Sequence, residues 1–240
     1  MRKLLTPLLR LLLPLGVLCA LLIVQFEDPL FRMRIRDLAF DQLQKLHPAP
    51  YVDDIPVRVV AIDDPSLAAV GQWPWPRTVM AQVVDQLTAW GARVVVMDLI
   101  LAEPDRTSPE QVKQFWPDNA ALDAMLAKFP SHDQILAESM ARSRVVTGVL
   151  AHNQSSPGPL PERPTRFVSQ GGDARDWLKD WAGGTGFLPP LSANAAGAGV
   201  VTVVPDYDGI LRSVPLVHLL GGRVYPSLAL DALRVYMGEE

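Results

Sequence analysis

The sequence predicts an α/β domain, three-layer-like, with a mixed, largely parallel sheet flanked by helices. Three observations lead there. Two short β-branched runs, residues 56–63 and 93–101, enclose an amphipathic segment. That is the order of a parallel strand pair joined by a right-handed helical crossover. Further apolar runs of strand length recur at residues 145–150 and 199–204. A chain of 240 residues is also long enough for one domain with a substantial core, even when its apolar N-terminus is set aside.

The elements follow in order. Met1, Arg2 and Lys3 precede an apolar stretch from Leu4 to Phe26, broken by Arg10. A run of about twenty apolar residues spans a bilayer, and an arginine near its inner end snorkels. No small-x-small cleavage site follows, because the run ends in Gln25-Phe26-Glu27-Asp28-Pro29. Residues 1–26 are therefore expected to be an uncleaved signal anchor, a transmembrane helix, rather than a removed signal peptide. Arg2, Lys3 and Arg10 favour an inside N-terminus, while Arg32, Arg34 and Arg36 lie beyond the anchor. The single cysteine, Cys19, falls within the anchor, so no intrachain disulfide forms.

Residues 27–53 are expected to be a membrane-proximal helix and linker, with Leu30, Ile35, Leu38 and Leu43 loosely on one side and Pro48-Ala49-Pro50 as terminator. Residues 54–240 are expected to be one extracytoplasmic domain. It opens on a buried strand, residues 56–63, and a Gly/Trp/Pro-rich loop, residues 65–76. A helix follows with Met80, Val83, Val84 and Leu87 on one face, closed by Gly91. A second strand ends near Asp98. Residues 102–130 are a polar excursion with helical pieces. Ser131 and Gln134 have capping-box spacing before a helix to Arg142. Strands at 145–150 and 199–204 flank a long Pro/Gly/Ser-rich loop, of a length that is usually functional or mobile. A hairpin spans 213–225, and Pro226 opens a last helix with Leu228, Ala232, Leu233 and Tyr236 inward and Gly238 at its end.

Several residues are candidates for ligand binding or signalling. Asp63, Asp64 and Asp98 stand at the C-terminal ends of strands expected to be neighbours, the edge where open α/β sheets bind ligands. Carboxylates gathered there repel unless a cation, a proton or an arginine meets them. Arg77, at the start of the following helix, is the expected partner of Asp63 or Asp98, fastening the Trp-Pro loop over that edge, with Ser66 capping a turn. Trp73 and Trp75 either cover the edge of the core or form a contact platform. Asp206-Tyr207-Asp208-Gly209 has the acidic start of a calcium loop without its later ligands, and reads as an Asp/Gly turn. Gly171-Gly172-Asp173 is a short cyclase-like string in a loop-rich region, treated as coincidence.

Taken in order, these motifs resemble a known family. Ala61-Ile62-Asp63-Asp64-Pro65-Ser66-Leu67, then Gly71-Gln72-Trp73-Pro74-Trp75-Pro76-Arg77, are similar to the start of the second-type CHASE domain, CHASE-two (cyclases/histidine kinases associated sensory extracellular). Asp98 with Glu103-Pro104-Asp105, Gly197 to Gly199, Asp206 to Gly209, Arg212-Ser213-Val214-Pro215-Leu216 and Pro226-Ser227-Leu228-Ala229 match its later motifs. The resemblance covers roughly residues 28–238. It implies a sensor outside the bacterial inner membrane that signals through membrane helices to a nucleotide cyclase (adenylate cyclase among them), a histidine or Ser/Thr kinase, or a cyclic-di-nucleotide enzyme. It adds Glu103 and Arg212 to the candidates. That pattern continues beyond Glu240, so the sequence is expected to be part of a longer protein, the alternative being a stand-alone sensor without an output of its own.

The partners expected are the membrane, a small-molecule or envelope ligand of unspecified kind, and a second copy in a homodimer. With a net charge of -4, no general affinity for nucleic acid is expected. His47, His132, His152 and His218 are scattered, without metal-ligand spacing, and no nucleophile elbow or phosphate-binding loop appears. No catalysis, metal or cofactor is expected in this segment. The rival readings are an exported metal-dependent hydrolase using the Asp63/Asp98 edge, and an envelope protein docking through Trp73 and Trp75.

Overall fold

The structure is a computed structural model, and it describes residues 14–19, 29–50, 52, 55–116, 118–154, 158, 160–161, 167–168 and 170–238. Contacts divide the chain into two compact units, Met1–Ala61 and Ile62–Glu240. In the first, helix α1 (Pro29–Leu46) has the expected bounds. Ile35, Leu38 and Leu43 on it are exposed. Among the described residues no helix is long and apolar enough to cross a membrane. The expected anchor, apart from helical residues 14–19, lies outside the described residues.

The second unit begins with α2 (Asp64–Val70) and α3 (Arg77–Ala89), then β1 (Val95–Met97), α4 (Pro109–Val112), α5 (Ala120–Leu126) and α6 (His132–Arg142). Next come β2 (Val145–His152), β3 (Asp180–Trp181), β4 (Gly183–Thr185), α7 (Pro189–Ala193) and β5 (Gly197–Val200). The hairpin β6 (Val217–Leu220) and β7 (Arg223–Pro226) leads into α8 (Leu228–Met237). Strand β2 organises the main sheet. It pairs in parallel with β1, Val95 opposite Val145, and with β5, Val146 opposite Gly197. Its end pairs antiparallel with β4, Leu150 opposite Thr185. The mixed sheet with mostly parallel pairing is thus present. A second, three-stranded sheet, β3-β6-β7, was not anticipated.

Val145 to Val149 are all buried, as expected for a strand covered on both faces. Met80 and Val84 of α3 meet Leu136 and Met140 of α6 over Val145 and Met97, with Phe187 and Leu191 completing the cluster. The Ser139 hydroxyl donates to Asp85 Oδ1 at 2.6 Å, and Arg142 pairs with Asp85 at 3.3 Å, tying α6 to α3 along their polar margin. A second cluster, Val149, Ala151, Val200, Leu220 and Tyr225, joins the two sheets.

The structure corrects several expectations. Residues 57–62 belong to no strand, and Val59 is 90% exposed. β-branching shows that a run favours extension, not that a neighbour is present to pair it. The strand–helix–strand unit expected there is replaced by the parallel order β1–α6–β2. The loop after His152 contains β3, β4 and α7, each too short to leave a periodic signature. On α8 the fully inward residues are Asp231 and Val235, while Leu233 and Tyr236 are exposed.

The shift of that face has a local cause. Asp231 is fully buried and paired with Arg234 Nε at 2.7 Å. It lies against Gly197, where any Cβ would strike its carboxylate. At Gly199 a Cβ would fall 2.5 Å from the Leu228 Cα and 2.6 Å from the Ser227 carbonyl oxygen. The bare strand lets the first turn of α8 rest on β5, and the Ser227 hydroxyl caps that turn through the Leu230 N–H at 3.2 Å. Backbone cannot move aside as a flexible side chain can. Gly199→Ala should therefore destabilise the domain by about 1–3 kcal/mol, read as a lower melting temperature and a lower urea midpoint. An unchanged midpoint would show that α8 does not sit this closely.

Candidate functional site

Helix α3 starts after Pro76, whose side chain makes no capping hydrogen bond. The first N–H groups of a helix need acceptors from elsewhere when the preceding residue supplies none. Here Asp105 supplies one: its Oδ2 accepts from the Arg77 N–H at 2.6 Å, across 28 residues of sequence. A carboxylate at a helix N-terminus also meets the positive end of the helix dipole. Helix α6 is served in the same way. The His132 N–H donates to the Ser108 Oγ at 2.9 Å. One segment, residues 103–110, thus provides caps to the starts of two helices that pack on each other.

The Arg77 side chain locks this segment in place. It is buried, with Nη2 donating to the Glu103 carbonyl at 3.0 Å and Nε lying 3.3 Å from Asp133 Oδ1. That last contact is a charge pair rather than an aligned hydrogen bond, since neither atom has a hydrogen-bond partner among the described residues. Asp133 Oδ2 accepts from the Asp105 N–H at 3.1 Å. Asp105 Oδ1 takes the Thr107 N–H and hydroxyl, both at 2.8 Å. Toward solvent, His132 Nδ1 lies 3.3 Å from Asp105 Oδ2 and 3.1 Å from the Thr107 hydroxyl. The Glu110 carboxylate receives the Ser108 and Ser131 hydroxyls, each at 2.6 Å. Burial pushes the Asp105 carboxyl up, but the bonds from Arg77 and Thr107 and the Arg77 charge outweigh it and hold it below its ordinary value of 3.8. The Ser108 and Ser131 hydroxyls likewise overcome burial and lower Glu110.

The candidates named from sequence are dispersed. Arg77 does not meet Asp63 or Asp98; its carboxylates are Asp105 and Asp133. Asp63 is exposed and caps α2, accepting the Ser66 hydroxyl at 2.6 Å and its N–H at 3.0 Å. Those bonds lower its carboxyl. Asp64, the first residue of α2, and Asp98 are exposed, and Glu103 contributes its carbonyl to Arg77. Trp75 is buried in the core with its indole N–H on the Gly71 carbonyl at 2.7 Å, and Trp73 meets it edge to face at 5.8 Å. The Trp-Pro loop is thereby pinned beside Arg77.

Asp206 and Asp208 form the expected turn, in which Gly209 (φ 79°) takes the backbone conformation that side chains disfavour. Arg212 meets Asp206 at 3.0 Å and Asp208 at 2.7 Å. The bond from Arg212 is the main reason the Asp208 carboxyl is pulled down to about 2. Arg212 thus supplies the positive charge that the two carboxylates of this turn require.

Sequence reasoning missed Asp133, His132, Ser108 and Glu110. Ser131 and Gln134 suggested a capping box, but the Ser131 hydroxyl goes to Glu110 and Gln134 donates to Glu138 at 3.0 Å. A signal was present in Asp105, recurring beside Glu103 and Pro104, yet nothing in the sequence says which helix it caps. Among the described residues no group of His, Cys, Asp and Glu is arranged to hold a metal ion.

With the geometry established, comparison with known families places the chain. The CHASE2 domain family model matches residues 16–240. The chain belongs to this family, the second-type CHASE domain, which is a family of extracellular sensory domains. Comparisons with curated proteins and with solved structures returned no match.

Two outcomes follow from the cluster. Arg77→Ala and Asp133→Asn should each lower thermal stability, by about 3–5 kcal/mol when a buried partner is stranded. The double variant should cost less than the sum, and Arg77→Lys should be intermediate because the charge remains and the fork is lost. Strict additivity in a double-mutant cycle would refute the pairing. Asp105 sets an acid limit. Its folded pKa is depressed, so it stabilises fully above its ordinary value of 3.8 and the contribution fades as pH falls through the lower folded value. Asp105→Asn should flatten that part of the stability–pH curve, followed by circular dichroism.

Proposed function

We infer that this chain is the input domain of a bacterial transmembrane signalling protein. It stands outside the inner membrane on an N-terminal helical anchor and acts on a cyclase, a kinase or a cyclic-di-nucleotide enzyme. The observation that carries the reading is the family match over nearly the whole chain. A sensory family also agrees with the expectation that this segment performs no catalysis. The apolar N-terminus behind Met1, Arg2 and Lys3 supports the anchor. The rival hydrolase reading needed Asp63 and Asp98 at one paired strand edge. Residues 57–62 form no strand, so that reading has no geometric support.

A signal changes a sensor only by binding one arrangement better than another. The segment 103–110, holding two helix starts through few polar bonds, is the part whose rearrangement would move α3 against α6. A homodimer joined through the membrane-proximal helix would carry such a movement to an effector. The experiment is a reporter fused after Gly238. Activity of a periplasmic reporter, with a silent cytoplasmic one, is the expected result, and the opposite pattern would overturn the placement. In a chimera with a cyclase effector, Asp105→Asn should alter basal output while expression and membrane insertion hold.

A further inference from the structure

We propose that a concavity on the outer face of the β6–β7 hairpin binds a small arylalkylamine, an organic cation with an aromatic body. The concavity has a volume of about 310 Å3, at the lower end of the roughly 300–1,000 Å3 typical of small-molecule sites. Its floor is Val217 and Val224. Side chains alternate along a strand, so the cross-strand pair His218 and Tyr225 turns to the opposite, buried face. The walls are Phe167, Val168 and Trp177. Trp177 is 88% exposed and Val168 89%. Large apolar side chains left in water around a concave floor mark a binding surface more than a structural one.

Charge decides the ligand class. Among the described residues, Asp173 is the only ionisable one lining the cavity. It follows Gly171 and Gly172, both at positive φ, which turn the chain across the rim. The contacts to the Asp173 carboxylate from the described residues fall on Oδ1, from the Arg175 N–H at 3.0 Å and Arg175 Nε at 3.5 Å. Both side chains of that ion pair are largely exposed, so it is weak and displaceable. The nearby Lys179 ammonium is already held over the Trp181 ring at 4.1 Å. A carboxylate beside aromatic walls attracts a cation with an apolar body. An anion would be repelled, and a wholly apolar compound would strip water from Asp173 without replacing it.

Naming such an amine a signal rests on the sensory reading; its binding does not, so failure here leaves the topology result untouched. The test is calorimetric titration of the full chain in detergent with phenethylamine, 2-phenylethanol and phenylacetate. Phenethylamine should bind saturably, at least about fivefold tighter than the alcohol, and phenylacetate should not bind. Trp177→Ala should weaken the amine by about the same factor or more. Asp173→Asn should abolish the preference for amine over alcohol. Both side chains are exposed, and an unchanged melting temperature will confirm that the variants fold. No saturable amine binding, equal binding of alcohol or acid, or indifference to both substitutions would overturn the proposal.

Discussion

A helix start that cannot cap itself must be capped by something else, and in this protein two helices share one external cap. Pro76 has no side-chain acceptor to offer the first turn of α3, and Ser131 directs its hydroxyl away from α6. The acceptors come from Asp105 and Ser108, only three residues apart in sequence. Much of the second unit depends on this arrangement. The core over Val145 and Met97 is made by α3 and α6 together, and their starts are placed by the same short segment.

Arg77 is the reason that segment has one position. A guanidinium kept from water requires both charge and hydrogen-bond acceptors. Asp133 supplies charge from α6, and the Glu103 carbonyl supplies an acceptor from the segment itself. Asp133 then reaches back to the Asp105 N–H, so a carboxylate on α6 holds the backbone of the residue that caps α3. The rim is more accessible, with Thr107 and Glu110 exposed and His132 half-buried. Buried charge with a wet rim suits a sensory domain, because a change at the surface has a short path to two helices.

Legibility in the sequence followed the length of each signal. The run at Val145 to Val149 is apolar on both faces and declares a central strand. The apolar face of α3 was visible through Met80 and Val84. Residues 57–62 carry an equally good strand signal, but pairing is a property of the neighbour and not of the run. On α8, hydrophobicity pointed to Leu233 and Tyr236, whereas the face was decided by a fully buried acid, Asp231, and by the bare backbone at Gly197 and Gly199. At the site, Arg77 stood out because arginine at a helix start after a Trp-Pro loop is unusual chemistry. Its partners did not, because Asp105 and Asp133 are themselves 28 residues apart and only the folded chain brings them together.

The central claim is that Asp133, Asp105 and Arg77 act as one clamp on two helix starts. Amide hydrogen exchange of the full chain, compared between the native protein and Asp133→Asn, tests it most directly. The account predicts that protection falls together at the starts of α3 and α6 and through residues 105–108, while β5 and the first turn of α8 keep theirs. Loss confined to α6, with the start of α3 as protected as before, would contradict it.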